Sequence, residues 1–357
     1  MYKIGTMGTF ATLPELAMAI YEGDTAKVEA LLGQERNVDA ELELSKHTSL
    51  TPLDLALILG RRTIVELLVA RGAELNAKDN PAMLLAVRYG NAELVTYLHS
   101  QGARLDGRNR VKSNAYDEAY YGNKKNIPLL HELGLDIKSH AGGVLRKAVA
   151  ARDRKTVDDL LEQDADINYH AADMVYPYEP TPLTVAARNN DLAMVRYLIE
   201  RGADVTAQEK DGERAYTIAV SQRNEAMADY LKELEPEDFH SLSNRLHALR
   251  PYKLPQPLLE YLSEGARRIE LPANEPGVGY VELFQLTDTV EMKLGRTKLL
   301  RLSAELDVYS HLLLVWHPAK RRLGLADIEH REYIELATAD AFLADPGGVL
   351  ARHLEAM

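Results

Sequence analysis

The chain of 357 residues contains no cysteine. Disulfides, thiolate chemistry and Cys-based metal sites are thereby excluded together, and the composition suits a reducing compartment. No stretch approaches 18 uninterrupted apolar residues, so no membrane-spanning helix is expected. The opening MYKIGTMGTFATLPELAMAI has no basic start followed by an apolar run, and no signal peptide is expected there. No Gly-x-x-x-x-Gly-Lys, Gly-x-Ser-x-Gly or His-Glu-x-x-His motif occurs, which leaves phosphate-loop, serine-hydrolase and zincin chemistry without their residues. His311 and His317 lie too far apart on one straight strand to share an ion. Asp327-Ile-Glu-His330 reads as the end of a strand. No cofactor, metal or catalytic residue is therefore expected, and the chain is not read as an enzyme.

Positive charge is also in deficit. The net charge is −12. Residues 241–357 hold 14 Lys or Arg against 16 Asp or Glu, which leaves −10 for residues 1–240. Nucleic acid needs a basic face to neutralise its phosphates, so it is not the expected partner. A basic protein would be steered toward such a surface.

What the chain does have is a period. Residues 51–75 (TPLDLALILGRRTIVELLVARGAEL) and 181–205 (TPLTVAARNNDLAMVRYLIERGADV) share Thr-Pro-Leu, an alanine five places after the threonine, and Gly-Ala. Residues 81–105 and 143–167 follow the same frame, 113–137 is a degenerate copy, 13–32 a first copy and 214–234 a last. Each unit reads as two short helices. Thr51 and Thr181 suit the N-cap, and Pro52 and Pro182 the first turn, where a missing N–H costs nothing. Ala56, Ala86, Ala148, Ala186 and Ala219 are small where two helices approach. Gly23, Gly60, Gly90 and Gly122 are expected to end the first helices, and Gly72, Gly102 and Gly202 to reverse the chain in a left-handed turn. A single helix pair cannot bury its apolar face; stacked pairs can.

These features resemble the ankyrin repeat over about residues 10–235. The resemblance implies a mainly α fold: a solenoid of about seven helix pairs, followed by a smaller α+β domain. Four departures stand out. Glu118 replaces the small residue, Pro128 falls in a second helix, the first unit lacks Thr-Pro-Leu, and Asp164 replaces the turn glycine. Residues 236–253 read as a linker and 254–357 as the α+β domain, with a helix at PLLEYLSEGA, strands at 279–286, 310–318 and 321–329, and helix at the end. The pieces LPQPLLEYLSEGA, YVELFQLTDTVEM and LLLVWHPAKRRLGLADIEHREYIELATADAFL are similar in layout to the SUKH superfamily, although the usual Gly-Asp before the central strand is absent.

Ankyrin repeats are binding scaffolds, so the resemblance implies a partner-binding face made by the first helices and the fingers between repeats. The expected contact residues are Tyr21, Ile58, Leu59, Arg88, Tyr89, Tyr120, Tyr121 and Arg188 along the helices. Tyr169, Met174, Tyr176 and Tyr178 are added from the elongated segment 168–180 before repeat six, read as a long finger. Tyrosine and arginine are what interface cores tend to use. The expected partner is another protein, of basic character, bound by a monomeric cytoplasmic chain. The SUKH likeness implies an immunity-type role in which a toxin domain is bound and masked. A general adaptor is the alternative, and an enzyme with its site in residues 241–357 is a third reading.

Overall fold

The computed structural model describes residues 1–33 and 37–355. The chain divides into two compact units, Met1–Asp166 and Ile167–Met357. The division falls between the fifth and sixth repeats.

In the first unit the five repeats place their helices at Glu15–Glu22 and Thr25–Leu32, Pro52–Ile58 and Arg62–Ala70, Ala82–Tyr89 and Ala92–Ser100, Ala115–Tyr121 and Ile127–Glu132, and Gly142–Ala150 and Arg154–Leu161. Side chains of Asp24, Thr51, Asn91, Asn114 and Asp153 accept backbone N–H bonds at the helix starts. Ala56, Ala86 and Ala148 are fully buried, as the close approach of helices requires. Leu55, Leu57, Val65, Val87 and Leu98 fill the space between pairs, each burial contributing roughly 1.5–3 kcal/mol.

The departures from the repeat have local causes. Pro128 does not interrupt a helix: a 3₁₀ turn at Lys124–Asn126 comes first, and the helix starts at Ile127 with the proline in its first turn. Asp164 takes the left-handed turn itself, at φ 70°. Gly90 and Gly122 end the first helices of repeats three and four as expected, and do so outside the left-handed region; Gly122 serves by lacking a Cβ, which would lie 2.2 Å from the Arg88 carbonyl oxygen. Two hairpins were not expected. Strands β1 (Tyr2–Ile4) and β2 (Gly8–Phe10) pair before the first repeat, and β3 (Leu42–Ser45) and β4 (Thr48–Leu50) pair before the second.

The second unit contains repeats six (Pro182–Arg188, Leu192–Glu200) and seven (Ala215–Ser221, Glu225–Leu234) together with the C-terminal region. Residues 236–253, expected as a linker, hold a 3₁₀ turn at Glu237–Phe239, a helix at Leu242–Ala248 and a 3₁₀ turn at Arg250–Tyr252. Leu249 and Tyr252 of this segment enter the C-terminal core.

That region is built from eight strands. They are β5 (Arg268–Glu270), β6 (Tyr280–Leu283), β7 (Val290–Leu294), β8 (Thr297–Arg301), β9 (Ser303–Leu306), β10 (Leu312–His317), β11 (Arg322–Asp327) and β12 (Glu332–Ala337). One antiparallel sheet has the order β12-β11-β10-β8-β7, the other β5-β6-β9. Between β8 and β9, Leu302 joins the sheets: its N–H donates to Leu314 and its carbonyl accepts from Phe284, both at 2.8 Å. Successive β10 side chains alternate faces. Leu312, Leu314 and Trp316 enter the main core with Leu258, Leu262, Phe342 and Leu350, while Leu313 and Val315 meet Met292, Leu299 and Ala326.

The expected strands at 310–318 and 321–329 correspond to β10 and β11. The strand expected over 279–286 ends at Leu283 in β6, and Leu286–Asp288 turns as a 3₁₀ helix. Strands β5, β7, β8, β9 and β12 were missed. Strand β12 intervenes between Asp327 and the helix expected to follow it, and Leu336-Ala337 closes that strand.

Candidate functional site

In the first unit, the expected contact residues separate into a covered group and an open one. Tyr21 is half-buried, with its ring edge-on to Tyr2 of β1 at 5.3 Å between centroids. The Tyr89 hydroxyl and Thr6 Oγ1 are 2.7 Å apart. Gly5, in the turn between β1 and β2, lies so close to the helices that a Cβ there would stand 2.7 Å from Ile58 Cγ2 and 3.2 Å from Tyr89 Cε1. Ile58 is only 7 % exposed and Leu59 is half-buried. The open surface expected at Ile58 is thus corrected: the hairpin turn lies over it. Residues 2–10 have no counterpart in the repeat, so the period could not reveal them. The signal available was Tyr2 and Ile4 alternating with Lys3, then two glycines, then Thr9 and Phe10.

Repeat four carries the open group. Tyr120 is half-buried and Tyr121 is 57 % exposed, and their rings meet edge-on at 5.6 Å. Lys124 Nζ sits 4.3 Å from the Tyr120 ring centre, and Lys147 Nζ, from repeat five, 5.2 Å from that of Tyr121. Each ammonium also has a carboxylate: Lys147 Nζ is 2.7 Å from Asp117 Oδ1, and Lys124 pairs with Asp153. Burial raises the pKa of the Tyr120 hydroxyl, with Lys124 opposing.

Glu118, the odd residue of this repeat, is buried. It accepts from Arg88 of repeat three at 2.7 Å and from Asn109 Nδ2 at 3.0 Å. Repeat four meets both its neighbours through charge pairs, Arg88–Glu118 and Asp117–Lys147, and the second lies beside the two tyrosines. Lys124, Lys147, Asp117 and Glu118 were not among the expected site residues. Their spacing of about one repeat, Arg88 to Glu118 and Asp117 to Lys147, was the signal that would have found them.

In the second unit, Arg188 is engaged within the chain. Its Nη2 donates to Glu209 Oε2 at 2.6 Å and to Glu213 Oε2 at 2.9 Å. The other oxygen of Glu213 lies 2.8 Å from Arg301 Nη1 of β8. Burial acts to raise the Glu213 pKa, but Arg301 and Arg188 hold it below its ordinary value. Nearby Asp211 is pushed up to about 6, by burial first and then by Glu213 and Glu209. Arg223 of repeat seven reaches Glu305 Oε2 at 2.8 Å and Glu282 Oε2 at 3.4 Å. The last repeat is therefore tied to both sheets by charge.

The segment 168–180 has no regular strand or helix, but it is held. Asp173 Oδ1 accepts from the backbone N–H of Val175 at 2.8 Å and of Tyr176 at 2.7 Å. The Tyr178 hydroxyl donates to the Ile328 carbonyl at 3.2 Å, and the Tyr178 carbonyl accepts from the Lys210 N–H at 2.9 Å. Tyr169, Tyr176 and Tyr178 are half-buried, whereas Met174 and Val175 are 90 % and 64 % exposed. Val175 was not among the expected residues.

Two of the residues weighed for chemistry, Asp327 and His317, make local structural contacts. Asp327 accepts from the N–H groups of Glu329 and His330 at 3.0 and 2.9 Å and so holds the turn after β11. His317 packs edge-on to Tyr333 at 5.0 Å, and burial lowers its pKa. A cavity of about 180 Å³ is lined by Tyr261 to Arg267 and Leu283 to Gln285. Among the described residues, no three His, Asp or Glu side chains converge to hold a metal ion, and no helix is long and apolar enough to cross a membrane.

Comparison with known proteins places the repeats. Residues 145–240 match the family described as "Ankyrin repeats (3 copies)" and residues 49–80 match "Ankyrin repeat". An ankyrin repeat domain-containing protein, SAT10, of Stachybotrys chartarum is 36% identical over 112 residues, covering 30% of this chain and 6% of that protein. The ankyrin repeat and KH domain-containing protein mask-1 of Caenorhabditis elegans is 28% identical over 196 residues, or 54% of this chain and 7% of that protein. The chain thus spans a small fraction of the length of these curated relatives. The crystal structure of the human ASB11 ankyrin repeat domain aligns with a TM-score of 0.47 at 20% identity, covering 62% of this chain and 98% of that one.

Proposed function

We propose that this ankyrin-repeat protein is a non-catalytic scaffold of the cytoplasm that binds another protein through the first-helix face at repeat four. The observation that carries this reading is Tyr121. It is 57 % exposed where the other tyrosines of the strip, Tyr21, Tyr89 and Tyr120, are half-buried, and it is propped by Tyr120, Lys147 and the carboxylates behind them. A large aromatic ring held in one place loses little entropy on binding, which is what interface anchors supply. The partner is of basic character, because residues 1–240 carry −10 of the net charge.

The test is affinity capture with the intact chain beside Tyr121→Ala, followed by measurement of the captured partner's Kd. Loss of about 2 kcal/mol or more of binding, with an unchanged circular dichroism melt, is the expected result. Unchanged affinity would sink the reading. Masking of a toxin domain is its narrower form and rests on the C-terminal likeness to the SUKH superfamily. Co-expression with a neighbouring toxin tests it: survival of the host supports that form, and no protection removes it while leaving the scaffold reading intact.

A further inference from the structure

Residues 2–10 lie where the ankyrin architecture would place a partner. Tyr21, Ile58 and Tyr89, the inner-face positions of repeats one to three, are met by Tyr2, Gly5 and Thr6 of the hairpin. In repeat four, Tyr121 at the corresponding place stays 57 % exposed. We propose that the β1–β2 hairpin is an internal ligand of repeats one to three, and that a protein partner presenting a similar small-residue β-turn takes its place.

Three observations support an occupant rather than an integral part of the repeats. Each strand has only three residues, and a two-stranded hairpin is marginal by itself. Its outer side is exposed at Lys3, Thr6, Met7, Gly8 and Thr9. It meets the rest of the chain through two apolar anchors, Ile4 and Phe10, which are 0 % and 8 % exposed, as an inserted ligand would.

The fit also defines the chemistry of the ligand. The turn is closed by the Met7 N–H donating to the Ile4 carbonyl at 2.9 Å. Gly5 is at φ 47°, in the left-handed region, and its missing Cβ is the space that Ile58 and Tyr89 occupy. A ligand for this place therefore needs glycine at the tip, a hydroxyl within reach of Tyr89, and an aromatic ring to meet Tyr21 edge-on. The inference rests on the reading of the first-helix face as a protein-binding face, but its test needs no outside partner.

The test uses a fluorescent peptide of residues 1–11 and three chains: intact, Gly5→Val, and one lacking residues 1–11. A valine at position 5 brings both a strained φ and a Cβ clash, so it releases the hairpin while leaving the chain complete. A masked site binds in proportion to the fraction of molecules in which it is open. Both altered chains are expected to bind the peptide roughly tenfold more tightly than the intact chain or better, and the peptide carrying Gly5→Val is expected not to bind. If the altered chains stay folded and bind no better than the intact one, the proposal is overturned. If both lose their helical signal, the hairpin belongs to the core and the proposal fails as well. Either failure leaves the Tyr121 test untouched, because that residue is not among those the hairpin meets.

Discussion

Glu213→Gln is the perturbation that best separates the tertiary structure from the repeat pattern. The residue precedes the first helix of repeat seven, yet it lies 2.8 Å from Arg301 of β8 and 2.9 Å from Arg188 of repeat six. It is buried, and so is Arg301. Glutamine keeps the shape and an acceptor oxygen but removes the charge. Breaking a buried pair by removing one partner costs about 3–5 kcal/mol, because the other charge is left without compensation. Here part of that cost is recovered. Arg188 retains Glu209 at 2.6 Å, and Arg301 still donates to the carbonyls of Ser303 and Ala304, each at 2.8 Å. The expected loss is therefore about 2–3 kcal/mol.

The assay is urea denaturation followed by the fluorescence of Trp316, the only tryptophan, which is buried in the C-terminal core and donates to the Tyr252 carbonyl at 2.8 Å. A substitution in a repeat turn should shift the midpoint read by a tryptophan about 100 residues away in the sequence, because repeats six and seven lie in one compact unit with the sheets. Adding Arg301→Met should recover much of the loss, since the uncompensated charge is then gone. An unchanged Trp316 midpoint in Glu213→Gln would refute the reasoning, as it would mean that the last repeats unfold independently of the sheets.

Two further predictions concern single groups. Asp211 has a folded pKa of about 6 against an ordinary 3.8, so the folded state binds its proton more tightly and stability falls as pH rises from about 4 to 6. Asp211→Asn should then stabilise the chain by about 1–2 kcal/mol at pH 7.5 and change little at pH 4, as read by urea melts at the two values; equal effects at both would contradict the assignment. Glu118→Ala restores the small residue of the repeat consensus, and by pattern alone should stabilise. Because it strips Arg88 and Asn109 of their acceptor, it is instead expected to cost about 1–2 kcal/mol in a thermal melt, and a gain in stability would show that the pair contributes nothing.

Much of the repeat array was legible because its physics is local and recurs. Caps at Thr51 and Thr181, first-turn prolines, and buried alanines every thirty or so residues are each set by neighbours a few positions away. What was not legible came from groups without a repeated partner. The hairpin over Ile58 and Tyr89 occurs once, so self-alignment passes over it. Strands β7 and β8 were missed although VEMKLGRTKLLR alternates about Gly295, a turn residue at φ 60°. Tyr121 was picked out together with Ile58 and Tyr89, and sequence had no means to tell the open ring from the covered ones, because exposure depends on what folds back over a position.

The amino-acid order by itself determined that seven helix pairs form, since an amphipathic pair with small residues on one side recurs seven times along it. It also determined that cysteine chemistry is absent and that the acidity gathers in the repeats. Only the tertiary structure decided where that array is open. It set a hairpin over repeats one to three, engaged Arg188 with Glu209 and Glu213, and drew repeat seven onto Arg301 and Glu305. The physical reason is that these contacts join residues far apart in the chain, and their strength depends on burial and charge geometry, neither of which has a period to read.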